Sequence, residues 1–194
     1  MDIIEDQFVR CWSAPEWMIM DRLAPFAIAK SGKGCIVDIG IGSSTEILAI
    51  QAKRYDIKQY SVDTNGNICE RHKNRNYHSK HIIYHGKSLD FIKEFNDIPS
   101  LILLDGKHGY NNIMKEANFF LSIMPVNSMM FIHDTMPMEG AYERKIETKG
   151  KEMDTYKVRQ ELEMDNTLEV FTWPYGVGFT MVLKKDMNKP FYRL

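Results

Sequence analysis

The stretch that decides the fold is residues 35–45, with the sequence CIVDIGIGSST. Its first five residues are an apolar run around the single acid Asp38, and this run has the length of a buried β-strand. Gly40 and Gly42 follow one residue apart, which allows a tight turn and a close approach of a ligand to the backbone. The helical pattern that follows would place free N–H groups at this turn. The stretch therefore predicts a strand, a ligand-binding turn and a helix.

The rest of the chain repeats the alternation of strand and helix. Apolar runs predict further strands at residues 59–62, 81–84, 101–104 and 129–132. Helical spacing predicts helices at residues 13–30, 45–53, 88–95, 111–123 and 155–164. Pro25 is expected to kink the first helix, and Ser88 is expected to cap the N-terminus of the third. Strands connected by helices pair in parallel through right-handed crossovers.

The C-terminal part has a different pattern. Residues 168–173 and 177–183 predict two strands joined by a turn that contains Pro174 and Gly176, which is typical of an antiparallel hairpin. The predicted fold class is therefore α/β, with a doubly wound, Rossmann-like sheet of about seven strands. The sheet is expected to be mostly parallel, with the antiparallel hairpin at its C-terminal end.

Length and composition limit the domain organisation and the partners. The 194 residues fit one domain. We predict an N-terminal helical segment at 1–34 that packs on the domain or covers its site, a ligand-binding domain at 35–185, and a tail at 186–194. A net charge of −1 provides no field that would attract nucleic acid or an anionic membrane, so neither partner is expected. Three scattered cysteines indicate reduced thiols and a cytoplasmic protein.

Acidic residues stand at the ends of the predicted strands, where open α/β sheets bind their ligands. A dinucleotide fingerprint would need a third glycine where Thr45 stands, and Asp38 would repel a pyrophosphate. A ligand with a cation and a carboxylate fits better, and S-adenosylmethionine (SAM) has that charge pattern. Asp63 lies about 20 residues after the glycines, as does the acid that binds ribose in dinucleotide folds. The candidate cofactor-binding residues at these strand ends and in the glycine turn are Asp38, Gly40, Gly42, Ser44, Thr45, Asp63 and Asp105.

Several segments, taken in order, resemble a known family. VDIGIGSST resembles the first motif of class I SAM-dependent methyltransferases, and YSVD resembles their second-strand acid. YHGKSLDFI resembles the segment in which a residue lies near adenine, and this resemblance adds Ser88 to the candidate cofactor-binding residues. LILLDGKHGYNNIMKEA and MMFIHDT resemble paired motifs of macrocin-type sugar O-methyltransferases and cephalosporin-hydroxylase-like proteins. The resemblance implies an O-methyltransferase that acts on a small hydroxylated molecule, such as a sugar or a natural-product intermediate.

The resemblance also implies roles for the residues after the fourth and fifth strands. Asp105 and Asp134 match acids that bind a divalent cation, often Mg²⁺, in related O-methyltransferases. His133 stands where some relatives have another acid. Without a metal, His108 or His133 could act as a general base, because the unperturbed pKa of histidine is about 6.5. The alternative role of either histidine is a hydrogen bond that fixes the loop. The candidate catalytic residues are Asp105, His108, His133 and Asp134.

Two other function classes are compatible with the pattern. Asn127 and Ser128 stand where the family usually has paired glycines, which would suit a methyltransferase-like protein that binds SAM or a nucleoside without transferring methyl groups. An NAD-dependent oxidoreductase is disfavoured by Thr45 and Asp38. Methionine and aromatic residues near the N-terminus suggest a surface that could form a homodimer.

Overall fold

The computed structural model describes residues 15–107, 109–136, 154–174 and 177–185. Its seven strands are Cys35–Ile39 (β1), Gln59–Asp63 (β2), His81–His85 (β3), Pro99–Leu104 (β4), Met129–His133 (β5), Leu168–Trp173 (β6) and Phe179–Lys184 (β7). The helices among the described residues are Pro15–Lys30 (α1), Ser43–Tyr55 (α2), Gly66–Arg75 (α3), Ser88–Glu94 (α4), Tyr110–Ile123 (α5) and Tyr156–Glu163 (α6). The predicted tail and His108 lie outside the described residues.

The strands form one sheet with the order β3-β2-β1-β4-β5-β7-β6. β1 to β5 pair in parallel, whereas β7 is antiparallel to both β5 and β6. This topology confirms the predicted fold class, including the C-terminal hairpin. The chain order reverses between β1 and β4, so the carboxyl ends of these neighbouring strands form the crevice where α/β sheets bind ligands.

An apolar core covers each face of the sheet. One core joins α1 and α2 to side chains such as Ile36, Leu103 and Phe131. The other joins α4, α5 and α6 to side chains such as Val37 and Ile102. Consecutive residues of a strand point to opposite faces, so both sets of side chains are buried. Burial on both faces explains why the central strands β1, β4 and β5 are largely apolar runs in the sequence.

Two details differ from the sequence-based expectations or refine them. The assignment of α1 continues through Pro25 without interruption. The N-cap of α4 is Lys87 and not Ser88, which is the first helical residue and donates its hydroxyl proton to Glu116 instead. The prediction of Ser88 as N-cap was therefore wrong, because a buried carboxylate competes for the hydroxyl. Among the described residues, no helix combines the length and apolar character needed to cross a membrane.

Candidate active site

A cavity of about 670 Å³ lies at the carboxyl ends of the parallel strands. Its lining includes five of the predicted cofactor-binding residues, namely Gly40, Gly42, Asp63, Ser88 and Asp105. Asn112 on α5 also lines it. The sheet topology therefore brings the glycine turn and the acids that end β2 and β4 to one concave site.

The two glycines of the turn have different surroundings. Gly40 has φ +100°, and a Cβ built on it would lie 2.2 Å from the backbone oxygen of Asp105. A side chain at this position would therefore strain the backbone and clash with the adjoining strand end. Gly42 has extended backbone, and a Cβ there would meet no atom within 4 Å. Since Gly42 lines the cavity, the missing side chain leaves space beside the turn for a ligand.

Asp38 is fully buried behind the turn and does not line the cavity. Its Oδ2 accepts a hydrogen bond from Thr45 Oγ1 at 2.7 Å, and Thr45 Oγ1 in turn accepts one from the Gly42 N–H at 3.0 Å. Because side chains alternate along β1, Asp38 points to the face of the sheet that α2 covers. It therefore contacts the start of α2 and the glycine turn before it. Burial raises the pKa of Asp38 to about 7, although hydrogen bonds from Thr45 and Ser61 oppose the shift. Ser44 and Thr45 are buried in the same layer.

Asp63 lines the cavity, and its carboxylate binds backbone N–H groups of two segments next to it. Its Oδ2 accepts from the Ile41 N–H at 3.0 Å, and its Oδ1 accepts from the Asn65 N–H at 2.7 Å. A carboxylate oxygen has more than one lone pair, so both oxygens retain capacity to accept from ligand hydroxyls. The geometry is therefore compatible with the predicted contact to ribose.

A buried carboxylate supports the part of the cavity that Ser88 lines. Glu116 on α5 has no exposed surface, and its Oε1 accepts hydrogen bonds from the Ser88 hydroxyl and from Asn112 Nδ2. Its Oε2 is also buried and has no hydrogen-bond partner among the described residues. Burial raises the pKa of Glu116 to about 7, against the effect of the two hydrogen bonds. Glu116 therefore connects α4 and α5 behind the cavity.

Asp105, His133 and Asp134 form a second polar cluster next to the cavity. Nδ1 of His133 lies 3.1 Å from Asp105 Oδ1 and 3.2 Å from Asp134 Oδ1. Burial alone would lower the pKa of His133, but hydrogen bonds to the two carboxylates raise it to about 10. Because Asp105 belongs to both the cluster and the cavity, the ligand space and the cluster adjoin.

Helix α1 covers the His133 ring. The ring of Trp17 stacks on the imidazole with 5.4 Å between centroids and 24° between planes. Oε1 of Glu16 lies 3.9 Å from Nε2 of His133, and Glu16 Oε2 is buried without a hydrogen-bond partner among the described residues. The N-terminal helix thus contributes a ring and a carboxylate to the site.

The cluster contains atoms that could coordinate a metal ion. One oxygen each of Asp105 and Asp134 and one nitrogen of His133 lie within 4.8 Å of one another. Carboxylate oxygens are ligands that Mg²⁺ prefers, and this ion retains several waters, so two protein carboxylates can hold it. The two carboxylates therefore fit a divalent cation, and in the structure the His133 imidazole contacts both of them.

Sequence reasoning identified part of this arrangement and missed another part. The structure brings the side chains of Asp105, His133 and Asp134 together, whereas His108 lies outside the described residues. The residues that were missed are Glu16, Asn112 and Glu116. Asn112 and Glu116 stand four residues apart on α5, which places them on one face, but nothing in the sequence shows that this face is buried against Ser88.

Solved structures of other proteins share this fold, although the sequence itself matches no known family. No model of a known protein family matches the sequence, and a search of curated proteins gives no significant match. Among solved structures, the SAH-bound methyltransferase of Podospora anserina has a TM-score of 0.71 at 14% identity, over 96% of this chain and 89% of that chain. The O-methyltransferase of Bacillus cereus in complex with SAH has a TM-score of 0.62 at 12% identity, over 95% of this chain and 82% of that one.

A methyltransferase from Geobacter sulfurreducens is also similar, with a TM-score of 0.58 at 12% identity over 86% of this chain and 78% of the other. At sequence identities this low, the structural similarity is evidence for the fold alone. The chain therefore has the fold of class I SAM-dependent methyltransferases, which confirms the fold expected from the resemblance of its motifs.

Proposed function

We propose that this protein is a SAM-dependent O-methyltransferase that acts on a hydroxyl group of a small molecule. The observation that carries the proposal is the position of Asp105, which lines the cavity and also contacts His133 of the polar cluster. A cofactor in the cavity would therefore lie next to groups that can accept a proton. The solved structures that share the fold support the same reaction class, because they include methyltransferases and an O-methyltransferase.

The cavity residues fit SAM in charge and in shape. Its volume of about 670 Å³ lies within the range of small-molecule sites. The open space beside Gly42 and the N-terminus of α2 suit the cofactor's carboxylate, and the Asp63 carboxylate suits the ribose hydroxyls. Bound SAM would supply an electrophilic methyl group on a positively charged sulfur.

The chain's own residues would position the acceptor and take up its proton. Asp105 accepts the proton of the acceptor hydroxyl while the oxygen forms its bond to the methyl carbon and the carbon–sulfur bond breaks. His133 contacts both carboxylates and so holds Asp105 and Asp134 in a fixed orientation. Trp17 covers one face of the His133 ring. Alignment of the two reactants would provide most of the rate enhancement.

Cofactor binding is tested by calorimetry with SAM and SAH. Asp63→Ala removes the proposed ribose acceptor and the anchor of the Ile41 N–H, so we expect its affinity for both ligands to fall by roughly 100-fold or more. Asp90→Ala is the matched control, because Asp90 lies on the exposed surface of α4. Unchanged affinity in Asp63→Ala would contradict the proposed site.

We also propose that Asp105 and Asp134 hold a divalent cation such as Mg²⁺. Such an ion would lower the pKa of an acceptor hydroxyl. Turnover with labelled SAM should fall by about tenfold or more after dialysis against a chelator and return when Mg²⁺ is added. Full turnover after complete removal of metal would show that the carboxylates act without an ion.

The structure accommodates the sequence feature that favoured a protein without methyl transfer. Asn127 has φ +67°, a left-handed conformation that asparagine and glycine adopt readily. Ser128 is buried and donates to the backbone oxygen of Pro99. The departure from paired glycines therefore has a structural explanation and does not argue against activity. Binding of SAH without labelled product across a panel of hydroxylated acceptors would favour the binding protein instead.

A further inference from the structure

The hydroxyl proton of Ser88 is donated to another side chain of the protein and not to the cavity. Ser88 lines the cavity, yet its Oγ donates to Oε1 of the buried Glu116. A hydroxyl has one proton and two lone pairs, so Ser88 can offer the cavity only lone pairs. Towards a ligand it therefore acts as a hydrogen-bond acceptor.

Asn112 makes this polarity independent of the protonation state of Glu116. Its Nδ2 donates to the same Oε1 at 2.5 Å. With two donors on Oε1, any proton that Glu116 binds belongs on Oε2, which is buried and has no other partner among the described residues. Oε1 therefore accepts from Ser88 whether the carboxyl group is charged or neutral.

We propose that Glu116 determines the base specificity of the cavity, by holding Ser88 as an acceptor that selects a 6-aminopurine ligand over a 6-oxopurine ligand. This inference rests on the proposed function, since it concerns the base of the same cofactor. The glycine turn, Asp63 and Ser88 follow the neighbouring strands β1, β2 and β3 and line one cavity, so a cofactor with its carboxylate at Gly42 and its ribose at Asp63 would extend its base towards Ser88. An exocyclic amino group donates to the Ser88 lone pairs. An oxo group at the same position would face them with lone pairs of its own and leave both sides unsatisfied. Glu116 is thus a positioning residue that acts through Ser88.

The test compares two ligands that differ only at purine C6, namely SAH and S-inosylhomocysteine. We expect the wild-type full-length chain to bind SAH roughly 10- to 100-fold more tightly in calorimetry. Glu116→Met removes the acceptor but keeps an unbranched side chain of similar length, so the Ser88 hydroxyl can rotate and donate. The preference for SAH should then fall to about threefold or less.

Conservative and control variants separate polarity from charge and from folding. Glu116→Gln keeps an oxygen for Ser88 and Asn112, so it should retain the wild-type preference. Glu94→Met makes the same exchange as Glu116→Met at an exposed position of α4 and should also retain it. Should Glu116→Met fail to fold, Ser88→Ala supplies the measurement, because it should weaken SAH binding more than binding of the inosine analogue.

The outcomes are distinguishable. A wild-type protein that binds neither ligand overturns the proposed function, and this inference with it. A wild-type protein that binds SAH without preference over the inosine analogue overturns the inference alone. The same holds if Glu116→Met weakens both ligands equally, since that result indicates a purely structural role.

Discussion

At the scale of single residues, the glycine turn separates the requirements of folding from those of ligand binding. Gly40 is needed by the fold, because its φ of +100° and the 2.2 Å approach of the Asp105 oxygen exclude a side chain. Gly42 has neither constraint, and a Cβ there would stand in open space beside the cavity. One spacing in the sequence, G-x-G, thus combines two different physical demands.

We predict that Gly42→Ala lowers affinity for SAH by about tenfold while it changes the free energy of unfolding by less than about 1 kcal/mol. The added methyl group occupies ligand space and clashes with no protein atom. Calorimetry measures the first effect and urea unfolding the second. Gly40→Ala is the comparison, and it should cost about 3 kcal/mol or more through strain and overpacking. A large loss of stability in Gly42→Ala would show that this glycine too is structural.

At the scale of elements, α1 is a part of the core that also covers the site. Met20, Ala24, Ala27 and Ile28 have no exposed surface, and Trp17 is 8% exposed. Trp17 packs on His133 and edge-on against Phe179. The described part of the N-terminal segment therefore packs on the domain, and it brings Glu16 and Trp17 to the polar cluster.

Trp17→Ala should lower the free energy of unfolding by about 3 kcal/mol, because it removes a large buried ring from the core. Turnover should also fall, since the imidazole loses the ring that stacks on it. Met18→Ala, one residue along and 48% exposed, is the control and should cost less than about 1 kcal/mol. Equal and small losses for both variants would mean that α1 is detachable from the domain.

The same scale shows what the sequence could predict. The bounds of β1 and β6 were predicted to the residue, because turn residues stand directly beside each run, namely Gly34 and Gly40 around β1 and Pro174 after β6. β4 begins two residues before the predicted start. Pro99 and Ser100 interrupt the apolar pattern, but Pro99 pairs with Cys35 of β1 before the register shifts. The acids at the strand ends were predictable for the same reason, as their position follows from the strands.

Glu16 and Glu116 could not be found in this way. Each lies in an amphipathic helix, where a glutamate usually faces solvent. Glu116 is buried because α4 packs across that part of α5, and this contact depends on the fold and not on helical spacing. The sequence identified Asp38 as a site residue. It could not show that Asp38 lies behind the turn and not in the cavity, because this depends on the face of β1 from which the side chain projects.

At the scale of the whole molecule, buried titratable groups make stability depend on pH. Burial raises the pKa of Asp38 from 3.8 to about 7. The folded protein therefore holds this proton more tightly than the unfolded chain. Its contribution to stability is complete below about pH 4 and is lost as the pH rises to about 7. Burial also lowers the pKa of His72 and His81 to about 4, and these groups oppose Asp38 over much of the same range.

A difference between two proteins isolates the contribution of Asp38, because the histidines are present in both. Asp38→Asn keeps an oxygen for Thr45 and Ser61 and removes the titration. The free energy of unfolding of this variant, relative to that of wild type, should rise by on the order of 3 kcal/mol between pH 4 and pH 7 and then remain constant. Urea unfolding at half-unit steps of pH measures the difference.

Asp90→Asn provides a control of opposite sign. A hydrogen bond from Lys93 lowers the pKa of the exposed Asp90, so the ionised form stabilises the fold. The free energy of unfolding of this variant should therefore fall slightly relative to wild type as the pH rises towards about 4, and the difference should stay constant at higher pH. A flat difference profile for Asp38→Asn would mean that Asp38 titrates near its ordinary pKa. In that case water or a ligand would have to reach the carboxylate behind the turn, and the buried link from Asp38 through Thr45 to Gly42 would not describe the protein in solution.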